Sequence, residues 1–174
     1  MTATRGGFAP SGVRWQLEHG RHDLPRQQVV DPYPVWLSEI MLQQTQVSTV
    51  LKYYAPFLQR FPDLESLASA ELDDVLAAWS GLGYYSRARN LHRCAREVRD
   101  RCGGCWPRTA NDLQALPGIG RSTAAAISSF CFGERVAILD GNVRRVLARV
   151  LGFDSDLSNA SNLRRLWALA EDLL

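Results

Sequence analysis

The sequence predicts an all-α fold, and three observations carry that reading. Apolar residues recur at helical spacing through most of the chain. No stretch alternates apolar and polar residues over the length of a strand, and no repeat runs at a fixed period. The segments between the periodic stretches are short and built from Gly, Pro, Ser and Asp, as connections between helices are. A chain of 174 residues makes one domain or two small interleaved lobes, and 46% apolar residues with five Trp supply a core.

Taken in order, residues 1–12 are small, polar and glycine-bearing and are expected to fray. Residues 13–19 are expected to form a short helix anchored by Trp15. Residues 21–34 carry three prolines and are expected to be an extended loop. From Pro34 the pattern turns helical, with Trp36, Leu37, Ile40 and Met41 as its apolar stripe and Glu39, Gln43 and Gln46 opposite. Residues 47–61 continue helically with Tyr53, Tyr54, Phe57 and Leu58 spaced for burial, and Pro56 predicts a break or kink. Short helices follow over 63–70 and 73–79, and a long amphipathic one over 84–101. Thr109 is the expected N-cap of a helix over 109–116. Three more helices are expected over 121–132, 142–151 and 162–174, the first of them ended by Gly133.

The net charge of +2 does not by itself announce nucleic acid. Lys52 is the only lysine among 20 basic residues, so the positive charge is almost all arginine, either from a coding bias or for paired contact with phosphate. Seven arginines stand between positions 87 and 108 against Glu97 and Asp100. They read either as a solvated helix face or as a phosphate-facing one. No apolar run reaches membrane length and no secretory pattern opens the chain, so a cytoplasmic location is expected. Cys102-Gly-Gly-Cys105 has the spacing of half a zinc site or of a redox pair, but Cys94 and Cys131 do not form the second close pair of a zinc ribbon. These thiols are expected to be incidental, with no metal held by this chain.

The most informative stretch runs from residue 116 to residue 142. Leu116-Pro117-Gly118-Ile119-Gly120 is a tight turn that opens at once onto a helix starting Arg121-Ser122. Glycine lets a ligand backbone come close, and the N–H groups and dipole of a helix start favour an anion such as phosphate. Ile119 can plug the gap between the two helices. An ordinary helix corner would use the same residues. Further on, Leu139-Asp140-Gly141-Asn142-Val143 places one carboxylate between an apolar segment and a glycine, where its plainest role is a helix N-cap. Glu39, read alone, is a solvent-facing helix residue.

These residues resemble the helix-hairpin-helix and following aspartate of the DNA glycosylase superfamily. Two further stretches are similar to MutY-type adenine DNA glycosylases, Val35-Trp36-Leu37-Ser38-Glu39-Ile40-Met41-Leu42-Gln43-Gln44-Thr45-Gln46-Val47 and Gly81-Leu82-Gly83-Tyr84-Tyr85-Ser86-Arg87-Ala88-Arg89-Asn90-Leu91. The resemblance implies an endonuclease III-like fold. A six-helix barrel lobe over 28–136 would hold the hairpin at 110–131. Residues 1–27 and 137–174 would belong to a second, incomplete lobe. It implies removal of adenine mispaired with 8-oxoguanine or guanine in double-stranded DNA, by a monomer that flips the base out of the duplex.

The resemblance also implies roles for residues. Glu39 is the expected general acid that protonates adenine, its pKa raised by Trp36, Ile40 and Met41. Asp140 is expected to stabilise the sugar cation, with Asn142 positioning water or carboxylate, in a logic parallel to two-carboxylate glycoside hydrolysis. Gln43, Gln44, Thr45, Leu82 and Tyr84 match residues that wedge into the duplex or surround the lesion. Gly118, Gly120, Arg121 and Ser122 match the DNA-backbone contacts of the hairpin. Endonuclease III-type members have a nucleophilic Lys where this chain has Ser122, and a hydroxyl forms no Schiff base, so base removal without strand cleavage is expected. Arg26 stands where a Trp of the adenine pocket is usual, and Gln27 follows it. The family's 4Fe-4S cluster would have its four Cys starting roughly 20 residues beyond Leu174; none of Cys94, Cys102, Cys105 and Cys131 matches them. The other readings are a non-catalytic DNA-binding fragment and an endonuclease III-like glycosylase for damaged pyrimidines.

Overall fold

The computed structural model describes residues 5–20 and 30–174, with side chains from residue 10 onward. Ten α-helices and no strand occur among the described residues. They fall into two compact units, one of Gln28–Glu134 and the other of Met1–Gln27 with Arg135–Leu174.

The unit from residue 28 to 134 is built around helix α2 (Pro32–Leu42). Asp31 caps it by accepting the Tyr33 N–H at 3.0 Å, and Pro32 takes the first position, where its missing N–H costs nothing. Seven of its eleven residues are buried, so it forms the centre of the unit instead of a surface stripe. Helix α3 (Val47–Arg60) is pinned to it by two phenols: Tyr33 donates to the Phe61 carbonyl at 2.7 Å and Tyr54 to the Pro34 carbonyl at 3.1 Å. Burial pushes the Tyr33 phenol far above its usual pKa, so it stays a donor. Asp63 and Ser66 form a reciprocal capping box that starts α4 (Leu64–Ser69). Helix α5 (Leu72–Ala78) leads into a glycine-bearing loop and the long α6 (Ser86–Arg101). Thr109 caps α7 (Ala110–Gln114), and α8 (Arg121–Phe132) ends on Gly133 at φ 71°, the left-handed geometry that glycine adopts freely. The core between these helices includes Trp36, Trp79, Phe57, Leu67, Leu91, Leu113 and Ile127. Burying each such side chain contributes about 1.5–3 kcal/mol.

The other unit contains α1 (Arg5–His19), α9 (Gly141–Leu151) and α10 (Ala160–Glu171). Its smaller core is Ala137, Leu139, Leu147, Leu166, Trp167 and Ala170.

Four expectations need correction. Helix α1 begins at Arg5, not near residue 13. Trp15 is not a buried anchor: it is 62% exposed and stacks on His19 one turn later, with ring centroids 5.5 Å apart. The proline-bearing stretch gives way to helix at Pro32, because the first turn of a helix accepts proline. Helix α3 runs unbroken through Pro56.

Candidate active site and nucleic-acid interface

Helices α7 and α8 form the hairpin that the Gly-Ile-Gly turn predicts. Leu116 and Ile119 are buried and tie the turn to the core, and the Ile119 N–H donates to the Leu116 carbonyl at 3.2 Å. The Glu134 carboxylate, just past α8, accepts the Ala110 N–H at 2.6 Å and so closes the start of α7 against the end of α8. Gly118 has φ 76°, and a Cβ there would stand 2.8 Å from Cβ of Asn90 on α6. The turn therefore needs glycine twice over, for its torsion and for its contact. Gly120, exposed at φ −84°, is the N-cap of α8 and has no side chain to occupy its first N–H groups. Arg121 is exposed and Ser122 half-buried at the start of that helix.

Two loops join the hairpin. Gln43 ends α2 and donates to Thr123 Oγ1 on α8 at 3.4 Å, which sets the 43–45 loop beside the hairpin. Leu82 is buried, whereas Tyr84 is 61% exposed in spite of its aromatic ring. Arg87 links these loops. Its guanidinium is buried and donates to the carbonyls of Ile40, Met41, Gln43, Leu82 and Gly83 and to Thr45 Oγ1, at 2.6–3.3 Å. It also lies over the rings of Trp79 and Tyr84, 5.4 Å from each centroid. Burial lowers its pKa from the usual value. The structure thus brings Gln43, Gln44, Thr45, Leu82, Tyr84 and the hairpin residues into one neighbourhood.

Arg87 is the residue that the sequence reading misplaces, by counting it in a surface run. The other six arginines of that run also divide. Arg99 pairs with Asp100 at 2.7 Å, Arg101 pairs with Glu97, and Arg108 lies over the Phe132 ring. Arg89, Arg93 and Arg96 remain exposed at a spacing that puts them on one face of α6. Arg93 donates to Asn90 Oδ1 at 3.1 Å, so this face starts beside the Gly118 turn.

The two carboxylates lie in different units. Glu39 sits on α2, half-buried between core residues Ser38 and Ile40. Burial, with Asp31 and then Glu39 adding to it, pushes the Cys131 thiol up to about 11. Cys131 thus lies within electrostatic reach of Glu39, which sequence spacing gives no means of finding. Asp140 is the N-cap of α9. Its Oδ1 accepts the N–H groups of Asn142 at 2.8 Å and Val143 at 2.7 Å, and Oδ2 takes neither bond. The capping reading and a chemical role are therefore compatible, one oxygen for each. Asn142 is exposed, and its Oδ1 accepts from Arg145. Arg26 and Gln27 lie outside the described residues.

Among the described residues, no three His, Cys, Asp or Glu side chains gather as metal ligands would. Cys94 is buried in the larger core, and Cys102 and Cys131 pack against it. The thiols of this chain do not fit the donor set of an iron–sulfur cluster. Among the described residues, no helix is long and apolar enough to cross a membrane.

Residues 37–171 match the family described as HhH-GPD superfamily base excision DNA repair protein. The chain is similar to the adenine DNA glycosylase of Homo sapiens, 46% identical over all of this chain and 33% of the relative. It is 44% identical to the adenine DNA glycosylase of Buchnera aphidicola subsp. Baizongia pistaciae, over 95% of this chain and 47% of the relative. The Mus musculus enzyme of that name is 51% identical over 82% of this chain and 28% of the relative. The chain thus spans half or less of the length of these relatives. Among solved structures it resembles a thermostable thymine-DNA glycosylase, with a TM-score of 0.84 and 29% identity over 97% of this chain and 77% of the other. A non-covalent endonuclease III–DNA complex shares the fold at a TM-score of 0.73 and 20% identity, over 98% of this chain and 84% of the other.

Proposed function

Because the chain belongs to the HhH-GPD superfamily of base excision DNA repair proteins, we propose that it is the catalytic part of an adenine DNA glycosylase, one that hydrolyses the N-glycosidic bond of adenine mispaired with 8-oxoguanine or guanine in the DNA of the bacterial cytoplasm. The observation that carries this reading is the gathering of the 43–45 loop, Tyr84 and the Gly118–Gly120 turn around one buried arginine and the Gln43–Thr123 contact. That arrangement offers a backbone-gripping turn beside an exposed aromatic and amide side chains, which suits a duplex opened at one base pair.

In the proposed reaction the turn and the start of α8, with Arg121 and Ser122, hold the DNA backbone. Gln43, Gln44, Thr45, Leu82 and Tyr84 fill and read the opened step, and Tyr84 stacks on a base. Arg26 and Gln27 contribute to the adenine pocket. Glu39 gives its proton to adenine as the bond to the sugar breaks and the bonding electrons leave with the base. Asp140 faces the resulting sugar cation with the oxygen not used in capping, Asn142 positions water, and addition of that water, with loss of its surplus proton to solvent, completes hydrolysis. Ser122 offers no amine, so strand cleavage by a Schiff base is not part of the cycle.

The test is release of adenine from a duplex carrying adenine opposite 8-oxoguanine, read as alkali-labile abasic sites. Glu39→Gln and Asp140→Asn should each reduce release by about a hundredfold or more. Normal release by both variants would sink the assignment. A second reading is DNA binding without turnover; tight binding with no release by the unaltered chain would establish it. Trapping of a DNA adduct by borohydride would instead favour a bifunctional pyrimidine-lesion enzyme.

A further inference from the structure

Two described residues other than glycine have left-handed backbones, Gln44 at φ 56° and Tyr84 at φ 47°. Such torsions are disfavoured for L residues and persist where the surroundings hold them. Gln44 and Tyr84 lie on separate loops, yet one guanidinium grips the peptide unit in front of each. Arg87 Nη1 donates to the Gln43 carbonyl at 2.6 Å, and Nη2 donates to the Gly83 carbonyl at 3.3 Å. Nη2 also reaches Thr45 Oγ1 at 3.0 Å and the Leu82 carbonyl at 3.1 Å, so a single nitrogen bridges the loops. No carboxylate is among these six acceptors, and Nε is buried with no partner. A buried cation held by carbonyl and hydroxyl dipoles and two aromatic faces, with no carboxylate to pair it, is a poor way to stabilise a core, because its desolvation is incompletely repaid. What the group does well is fix geometry: a planar fork reaches two segments at once, as an ammonium does not.

We propose that Arg87 is a positioning residue that couples the 43–45 loop to Tyr84, so that the two move as one body on the duplex, and that this coupling sets the preference for a mispaired over a matched duplex. The second half of the proposal rests on the glycosylase reading above; the first does not. With the loops coupled, a misfit at either one disturbs both, and a matched duplex that cannot be opened is rejected by the pair together. Without Arg87 each loop samples the duplex alone.

The first measurement is hydrogen exchange of the full chain without DNA, followed at the amides of Thr45 and Leu82, which donate to the Leu42 carbonyl at 3.4 Å and to the Trp79 carbonyl at 3.1 Å. In Arg87→Lys both should exchange about tenfold faster. Unchanged exchange, or loosening of one loop alone, overturns the coupling. Thr45→Val guards against a variant that fails to fold. It removes one acceptor from the half-buried end of the network, and exchange at Leu82, in the other loop, should still rise; no change at Leu82 overturns the coupling. The second measurement is the ratio of affinities for an adenine:8-oxoguanine duplex and a matched duplex, taken well below each protein's unfolding midpoint. Arg87→Lys should lower the ratio about tenfold while affinity for matched DNA stays within about twofold. A ratio that survives loosened loops overturns the role in recognition. A wild type with no preference overturns the glycosylase reading and with it the role in recognition, and the exchange data then decide the coupling by themselves.

Discussion

At the residue scale, two glycines that look alike in the hairpin should separate stability from binding. Gly118→Ala meets both a left-handed torsion and Asn90 at 2.8 Å, and should cost about 1–3 kcal/mol. Urea unfolding should show a lower midpoint at an unchanged slope. Gly120→Ala meets open space at an ordinary φ, so its cost is confined to a poorer N-cap, about 1 kcal/mol or less. Its methyl group nevertheless stands where a phosphate would approach α8, so duplex affinity should fall more than stability does. The same scale separates the thiols. Cys105 is exposed, Cys131 is held protonated at neutral pH with its pKa pushed up to about 11, and Cys94 is buried with its thiol raised further. Maleimide labelling at pH 7 followed by mass spectrometry should therefore modify Cys105 first, Cys131 much more slowly and Cys94 last.

At the element scale, α6 has two faces with separate consequences. On its exposed face, replacing Arg93 or Arg96 by Ala should weaken binding to all duplexes alike. Each loss should also reduce the slope of log affinity against log salt by roughly 0.9. On its packed face, His92 touches the Ala70 carbonyl through Nε2 at 3.0 Å. Burial lowers its pKa, and Arg96 and Arg99 add to that, while the bond to Ala70 and the charge of Glu71 oppose it. A folded pKa below the unfolded value means that the unfolded chain takes up the proton more readily. The stabilisation is therefore complete above the unfolded pKa of about 6.5 and is lost as the pH falls through that value toward the folded pKa. Urea midpoints measured from pH 7.5 down to 5.5 should fall more steeply for the wild type than for His92→Gln. Both behaviours follow from a helix whose periodicity is legible in the sequence: α6, the caps Asp63 and Thr109 and the Gly133 stop all rest on local patterns. The interior place of Arg87 was not legible, because its acceptors arrive from residues 40–45 and 82–83 and exist only once α2 and α6 pack. The extent of α1 was equally hidden, since Pro10 and the glycines around it blur any helical period.

At the scale of the whole molecule, the two units differ in what they can sustain alone. The larger core draws its residues from Tyr33 to Ile127, all within Gln28–Glu134, a length at which single domains fold. The stretch Arg135–Leu174 is about 40 residues long and has two helices of 11 and 12 residues over a core of six side chains. Helices that short are marginal in water unless packed, and chains of that size seldom fold without a staple. An excised 28–134 fragment should therefore unfold cooperatively in urea with a slope of about 1–3 kcal/mol/M, and a 135–174 peptide should give a coil-like far-UV dichroism spectrum. The division also places the hairpin, the two loops and Arg87 in the larger unit and Asp140 in the other. The 28–134 fragment should accordingly bind duplex DNA with the salt dependence of the whole chain and release no adenine from it. A fragment without a cooperative transition would show that its core depends on the second unit, and release of adenine by that fragment would show that Asp140 has no part in the chemistry.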